Sequence, residues 1–391
     1  MKLSASILRI NKTKLQKIAK EGMKKEGIDA WIIFTREANE DPLADEVGLG
    51  AVTWRSAGII TPEGNFAVVG SFDVKQTERT GIYDEVYGYG SEGPVDELRR
   101  LSRKLDLKTV AINESQDFPL ADGLSAGLKK FLKKYIQHEK LVSSEDLVID
   151  LRGRLLPEEI LKVKAAVKKT EEILDDAQRH AIKEGALDRE IFEYVQAKTR
   201  EAGAGFSWPE SMNPSLNVGT TPAQHSGYDN LRLKRGQMFR IDFGIRLDGY
   251  CSDLQRVYFV GPVPKKMNES FAVARNANDA AIRKLRPSVT GYDVDKAGRD
   301  VVLQNGFKDF AHGLGHTIAR TAHEIGPALA PRWRNRYGHA MDKKIGRNIA
   351  FTIEPTINSE FGAINIEQDV LVDDKGSIVE LSKPMTGPIS V

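Results

Sequence analysis

The sequence predicts an α+β protein of two domains, and three observations carry that prediction. The chain has 391 residues, too many for one ordinary core and about right for two. Residues 1–150 alternate short apolar strands with helical periodicities, the pattern of a self-contained α/β domain. Residues 151–391 show one order twice: a pair of helices, then strands, then a hairpin carrying two acids. That recurrence lies in layout rather than identity, and it predicts two similar halves facing each other.

In the first domain, NKTKLQKIAKEGMKKE (11–26) places Leu15, Ile18, Ala19 and Met23 at helical spacing, and Gly27 ends the helix. AWIIFT follows as a buried strand, then the polar, acidic TREANEDPLADE. AGIITPEGNFAVVG reads as a hairpin turning at Pro62-Glu63-Gly64-Asn65. Short strands are expected at DEVYGYG and TVAINES, with helices near 94–105 and 120–134. No ligand cluster occurs here, and the one histidine, His138, reads as a surface residue. A boundary falls in SSEDLVIDLRGRLLP, at 143–157. Pro157 followed by Glu158-Glu159 starts a long helix towards Gly185, since proline fits the first turn and acids favour the positive helix end. Asp188 is expected to cap a second helix to about Ala202. The later pair runs from Glu269 to Arg286, stopped by Pro287, and from a Thr290 cap to about Asn305.

Hydrophobic residues are 40% of the chain and charged residues 29%, as in folded globular proteins. Lys and Arg number 57 against 55 Asp and Glu, so net charge points to no polyanionic partner. Zinc-finger spacings, RNA-binding aromatic motifs and a basic arm are all missing, and no nucleic-acid partner is expected. MKLSASILRINKTK has too short an apolar stretch for a signal peptide, and no run is long enough to span a membrane. The single cysteine, Cys251, cannot form an internal disulfide, which fits a cytoplasmic protein.

The chemistry concentrates in the second domain. MFRIDFGIRLDGYCSDLQRVYFV (238–260) reads as a hairpin turning at Asp248-Gly249. In that register Leu247 faces Tyr250 and Asp242 faces Gln255, with Asp253 diagonal to Asp242 on the same face. Two carboxylates so placed repel unless a proton or cation lies between them, and hard oxygens suit a divalent ion. Cys251 shares that face and is a lesser candidate ligand. Downstream, FAHGLGHTIARTAHE supplies His312, His316 and His323. Glu354 lies in the apolar NIAFTIEPTI, and Glu367 in GAINIEQDVLV. Either glutamate could mark a strand end emerging into solvent. Together with the two aspartates and one histidine they complete an oxygen-rich set for two divalent ions.

Two aspartates separated by ten residues, a glycine-flanked histidine, Glu-Pro and a last-strand glutamate resemble the pita-bread metallopeptidases. That family includes methionine aminopeptidase, aminopeptidase P and prolidase. The resemblance spans residues 160–391, and residues 1–150 are similar in length and pattern to a creatinase-type N-terminal domain. It implies five metal ligands, Asp242, Asp253, His316, Glu354 and Glu367, around two divalent ions. Mn is favoured on ligand hardness, with Co, Zn or Fe as alternatives. In such enzymes a hydroxide held between the metals attacks the scissile carbonyl while Glu354 handles its proton. His323, seven residues after His316, and His225, seventeen before Asp242, would contact substrate and serve catalysis. His312 would lie beside the proline subsite.

Creatinase lacks the metal set and methionine aminopeptidases usually lack the N-terminal domain, which leaves the Xaa-Pro peptidases. The implied activity is hydrolysis of the Xaa-Pro bond at the N-terminus of dipeptides or short peptides, by a homodimer. Hydrolysis of another amide, or a peptide-binding module without catalysis, are the alternatives. Where many members carry an arginine, two residues before the last glutamate, this chain has Asn365. PRWRNRYGH, with Arg332, Arg334 and Arg336, is either a replacement guanidinium or an ordinary basic loop. Ala319 stands where members often have glycine. His180 and His339 read as solvated residues.

Overall fold

The computed structural model describes residues 3–38, 40–134, 136, 140–221 and 226–391. These form two compact units, Met1–Leu151 and Arg152–Val391.

The first unit is built on a six-stranded mixed sheet. The Ala30–Thr35 strand lies inside it, buried along its whole length, paired antiparallel with Ser56–Thr61 and parallel with Thr109–Ile112. A strand buried on both faces needs an unbroken apolar run, which AWIIFT provides. The opening helix starts earlier than its periodicity suggests, at Ala5–Lys17, because the Ser4 hydroxyl accepts from Ile7 N–H and Ile7 and Ile10 are buried. It continues through a π-turn to Gly27, whose φ of 66° reverses the chain. The prediction for His138 lies outside the described residues.

The second unit opens with the Pro157–His180 helix and the Asp188–Glu201 helix. Asp188 does not cap the latter: Leu187 holds that position, and the Asp188 carboxylate accepts instead from the Asp229 and Leu231 amides. Thr290 does cap its helix, Gly291–Gln304, in a reciprocal box with Asp293. Two sheets carry the strands. One orders Ser215–Val218, Met238–Phe243, Leu254–Phe259 and Ile389–Ser390. The other orders Glu324–Leu329, Gly315–Ile318, Ile349–Ile353, Gln368–Val372 and Ile378–Glu380. The period-two alternation of a strand sends Phe239, Ile241 and Phe243 into the core with Val163, Val167 and Ile173 of the first helix. It leaves Arg240 and Asp242 on the opposite face.

The central hairpin turns where the sequence predicts, with Asp248 at φ 49° and Gly249 at φ 84°, the left-handed pair of a type I′ turn. Leu247 pairs with Tyr250, and Asp242 with Gln255. The ladder is nevertheless cut in two. Near the turn, Ile245–Leu247 and Tyr250–Cys251 join Gly205–Phe206 in a separate small sheet. The cut falls at Gly244, opposite Ser252 and Asp253, and a Cβ on Gly244 would lie 2.0 Å from Ser252 O. The strands therefore approach more closely here than any side chain allows. Gly315 is held likewise, 2.0 Å from Thr352 O. Gly244→Ala is expected to destabilise the protein by about 1–3 kcal/mol, read as a lowered denaturant midpoint at unchanged slope.

Candidate metal centre

The acidic residues of the centre share a local cause. Asp253, Glu354 and Glu367 each occupy a two-residue break between consecutive strands, and Asp242 lies one residue from its strand's end. At such a break the backbone leaves its ladder and crosses to another sheet, so a side chain can turn into the space between. Pro355 makes the break after Glu354, since it cannot donate to a ladder. His316 lies on the Gly315–Ile318 strand at a register irregularity against Glu324–Leu329.

These elements converge. His316 Nε2 is 3.8 Å from Asp253 Oδ2 and 3.6 Å from Glu354 Oε1. Asp253, His316 and Glu367 each offer one ligand atom, all within 4.8 Å of one another. His316 Nδ1 lies 3.3 Å from Thr317 O, an acceptor that keeps the proton on Nδ1 and leaves the Nε2 lone pair towards the acids. Gln255 Nε2 donates to Glu367 Oε2 at 2.9 Å and to Glu354 Oε2 at 3.3 Å. Its Oε1 accepts from Arg240 Nη1 at 3.1 Å, and Arg240 also donates to Asn217. Arg256 Nη1 donates to the Glu367 carbonyl at 3.1 Å.

Burial and mutual repulsion act together on the carboxyls. Burial pushes Asp253 well above the ordinary carboxyl range, and the charges of Asp242, Asp369 and Glu354 add to it. Glu354 is pushed up to about 8, first by burial and then by Asp242. Glu367 is raised by burial and then by Asp253, and Asp369 reaches about 8 through burial. His316 is held well below its usual value by burial and by the neighbouring His323. Glu367 Oε1 and Asp369 Oδ1 are buried with no hydrogen-bond partner. Unpaired buried carboxylate oxygens around a neutral imidazole lone pair are what a divalent cation would satisfy, so the donor set fits such an ion.

The remaining sequence candidates lie as follows. His323 is exposed and stands edge-on to His316, ring centroids 4.2 Å apart. His312 donates from Nδ1 to Gly313 O and meets Thr356 Oγ1 at Nε2, both at 2.7 Å, and burial lowers it to about 4. His225 lies outside the described residues. Cys251 is turned to a backbone carbonyl and not to the acids: its thiol donates to Arg320 O, and burial raises it to about 12. Arg332 and Arg334 are exposed and pair with Asp342. Arg336 donates to Ala311 O, next to His312. His180 is exposed beside Asp176.

Sequence reasoning passed over Gln255, Arg240 and Asp369. The signal for Gln255 is its place opposite Asp242 in the register that the Asp248-Gly249 turn predicts. Asp369 sits two residues beyond Glu367 and accepts from the Asp253 N–H at 3.2 Å.

A profile of metallopeptidase family M24 matches residues 162–374, more than half of the chain, and the chain belongs to that family. The Xaa-Pro dipeptidase of Pyrococcus horikoshii is 25% identical over 374 residues, covering 93% of this chain and 95% of that one. The X-Pro aminopeptidase of Thermotoga maritima superposes with a TM-score of 0.69 at 24% identity, over 96% of this chain and 99% of that one. A Xaa-Pro dipeptidase of Bacillus anthracis superposes with a TM-score of 0.72 at 21% identity, over 98% and 100%. The fold is therefore the pita-bread α+β arrangement of these peptidases.

A carboxyl whose folded pKa is raised keeps a proton that the unfolded chain has lost. For Glu354 that holds between the ordinary 4.5 and about 8, so the cation-free protein should lose stability as pH rises through this window. A divalent cation competes with those protons. The melting temperature of chelated protein is therefore expected to fall from pH 5.5 to 8, and the gain on adding Mn to be larger at the higher pH. A gain independent of pH would contradict this electrostatic account.

Proposed function

We propose that this chain is a metal-dependent exopeptidase that hydrolyses the Xaa-Pro bond at the N-terminus of dipeptides or short peptides. The observation that carries the reading is the group of buried Asp253 and Glu367 with the half-buried His316, Glu354 beside it and Glu367 Oε1 unpaired. Membership of family M24 and the activities named for the similar proteins support it. Asp242, Asp253, His316, Glu354 and Glu367 would hold two divalent ions, Mn favoured and Co, Zn or Fe possible alternatives in kind. Bound there, such ions supply Lewis acidity towards a carbonyl and make water nucleophilic at neutral pH.

The chain's own residues do the rest. Gln255 orients Glu367 and Glu354 through its amide donors, and Arg240 fixes the orientation of Gln255. Glu354 retains some exposure, 18% of its side chain, and takes up and returns the proton of the attacking water. His323, exposed and edge-on to His316, donates to the carbonyl oxygen as charge develops on it. His225 would orient the peptide near the scissile amide. His312 would lie beside the proline ring, its own ring packed on the buried Phe310 with centroids 4.9 Å apart. Residues 1–150 form a creatinase-type N-terminal domain, the active species is a homodimer, and the protein works in the cytoplasm.

The test is release of alanine from Ala-Pro and Ala-Pro-Ala, with Mn and with chelator. Cleavage of at least one peptide, abolished by chelator, is expected. Asp253→Ala and Glu367→Gln should each lower kcat/KM by more than about 100-fold and reduce bound metal. Metal-loaded protein that cuts neither peptide would overturn the reading.

A further inference from the structure

The Leu254–Phe259 strand has a second face. Its alternation turns Gln255 towards the acids and sends Arg256 and Tyr258 to the opposite side. There the two side chains meet the Pro157–His180 helix, at Glu171, Leu174 and Asp175, and the C-terminal stretch from Lys383 to Ile389. These walls enclose a cavity of about 200 Å³. Sites for drug-sized ligands run to roughly 300–1,000 Å³, so an occupant here must be small. Tyr258 and Leu174 lie deep in it, 1% and 2% exposed, while Asp175, Lys383 and Thr386 are exposed at its mouth. A solute can therefore enter.

The polar groups of this cavity come in two pairs. On the strand, Arg256 engages the Gln255 and Glu367 carbonyls through Nη1, and Glu171 and the Lys383 carbonyl through Nη2. Its Nε–H and the Tyr258 hydroxyl make no hydrogen bond among the described residues. Burial raises the Tyr258 phenol, which keeps its proton and can donate it. On the helix, Glu171 and Asp175 lie four residues apart and share one face. Glu171 Oε1 accepts from Lys383 N–H at 2.6 Å and lies 3.4 Å from Arg256 Nη2, which leaves Oε2 over. Asp175 has no partner among the described residues, and its charge is felt at Tyr258.

Two acids, Glu171 and Asp175, thus balance two bases, Arg256 and Lys383. A lone anion would be opposed by the acids, and a lone cation by the bases. A small molecule carrying both charges escapes both penalties. Its carboxylate accepts from Arg256 Nε–H and Tyr258 O–H, its ammonium donates to Asp175 and Glu171, and its side chain packs on Leu174 and Met385.

We propose that this cavity binds a free amino acid, at a site separate from the metal centre. Free amino acids are what an exopeptidase releases, so its role as a product-sensing site rests on the peptidase reading, whereas the binding itself does not.

The test titrates L-leucine and L-proline into the chelated full-length chain by calorimetry, so that no bound metal offers the amino acid another place. Saturable binding is expected. Leucinamide lacks the carboxylate and N-acetyl-leucine lacks the ammonium, and each should bind about tenfold more weakly or worse. Tyr258→Phe removes one hydroxyl and keeps the ring; Asp175→Asn changes an exposed position. Each should weaken leucine by about five- to tenfold with the melting temperature near that of the wild type. Arg256 is left unchanged because it also holds the Glu367 carbonyl. No saturable binding of either amino acid would overturn the proposal. So would leucinamide or N-acetyl-leucine binding as well as leucine. Leucine affinity unchanged in both variants would place the amino acid elsewhere and overturn it too. Should Tyr258→Phe not fold, Asp175→Asn decides alone. None of these outcomes bears on the Xaa-Pro reading, which peptide cleavage tests independently.

Discussion

The second unit is organised around one unfavourable interaction: carboxylates brought together out of water. Burial first, and then the charges of neighbouring acids with Asp242 among them, raises Asp253, Glu354 and Glu367, and burial raises Asp369 beside them. A fold does not hold such a group by accident, because unpaired buried acids would push its strands apart. What surrounds them is arranged to contain that repulsion. Gln255 spans Glu367 and Glu354, and the Arg240 guanidinium stands behind it. Burial tends to lower Arg240, while Asp242, Glu367 and Glu354 hold its proton on, so acids and arginine stabilise each other's charged forms.

The geometry that collects the acids depends on places where no side chain fits. Gly244 lets the central hairpin close against Ser252 and release Asp253 from its ladder. Gly315 lets the His316 strand approach Thr352. A second set of buried charges braces the same region from behind: Glu159 accepts from Tyr250 and Arg320, and Arg152 donates to Glu324. Arg320 and Glu324 flank the turn that carries His323, so this histidine stands on a rigid support although its ring is exposed. Buried pairs of this kind contribute less to stability than to a single arrangement of the chain.

The Thr356–Asn365 pair is uncharged, and beside it burial, with the charges of Arg299, Arg240 and Arg336 after it, holds His312 low. The arginines at 332–336 are engaged with Asp342 and with the Ala311 carbonyl. The Tyr337 hydroxyl accepts from Gly313 N–H, which fixes the glycine whose carbonyl accepts from His312. The basic loop thus serves the site by bracing the stretch that carries His312.

Much of this was legible in the sequence, because it rests on periodicities and local chemistry. Asp248-Gly249 determined the turn, the turn determined the register, and the register put Asp242 opposite Gln255 and diagonal to Asp253. The helix starts at Pro157 and Thr290 were equally local. Asp188 was misread, since its carboxylate answers amides at 229 and 231 that no local pattern reveals. The sequence also could not show that the hairpin splits into two sheets, that three acids sit in strand breaks, or that Cys251 turns towards Arg320. Nor could it show the hydrogen bonds that link Gly313, His312, Thr356 and Asn365. Side-chain identity and spacing by themselves determined which groups would meet. Tertiary packing decided their protonation, their partners and the direction of their hydrogen bonds, because these depend on burial and on atoms brought from distant parts of the chain.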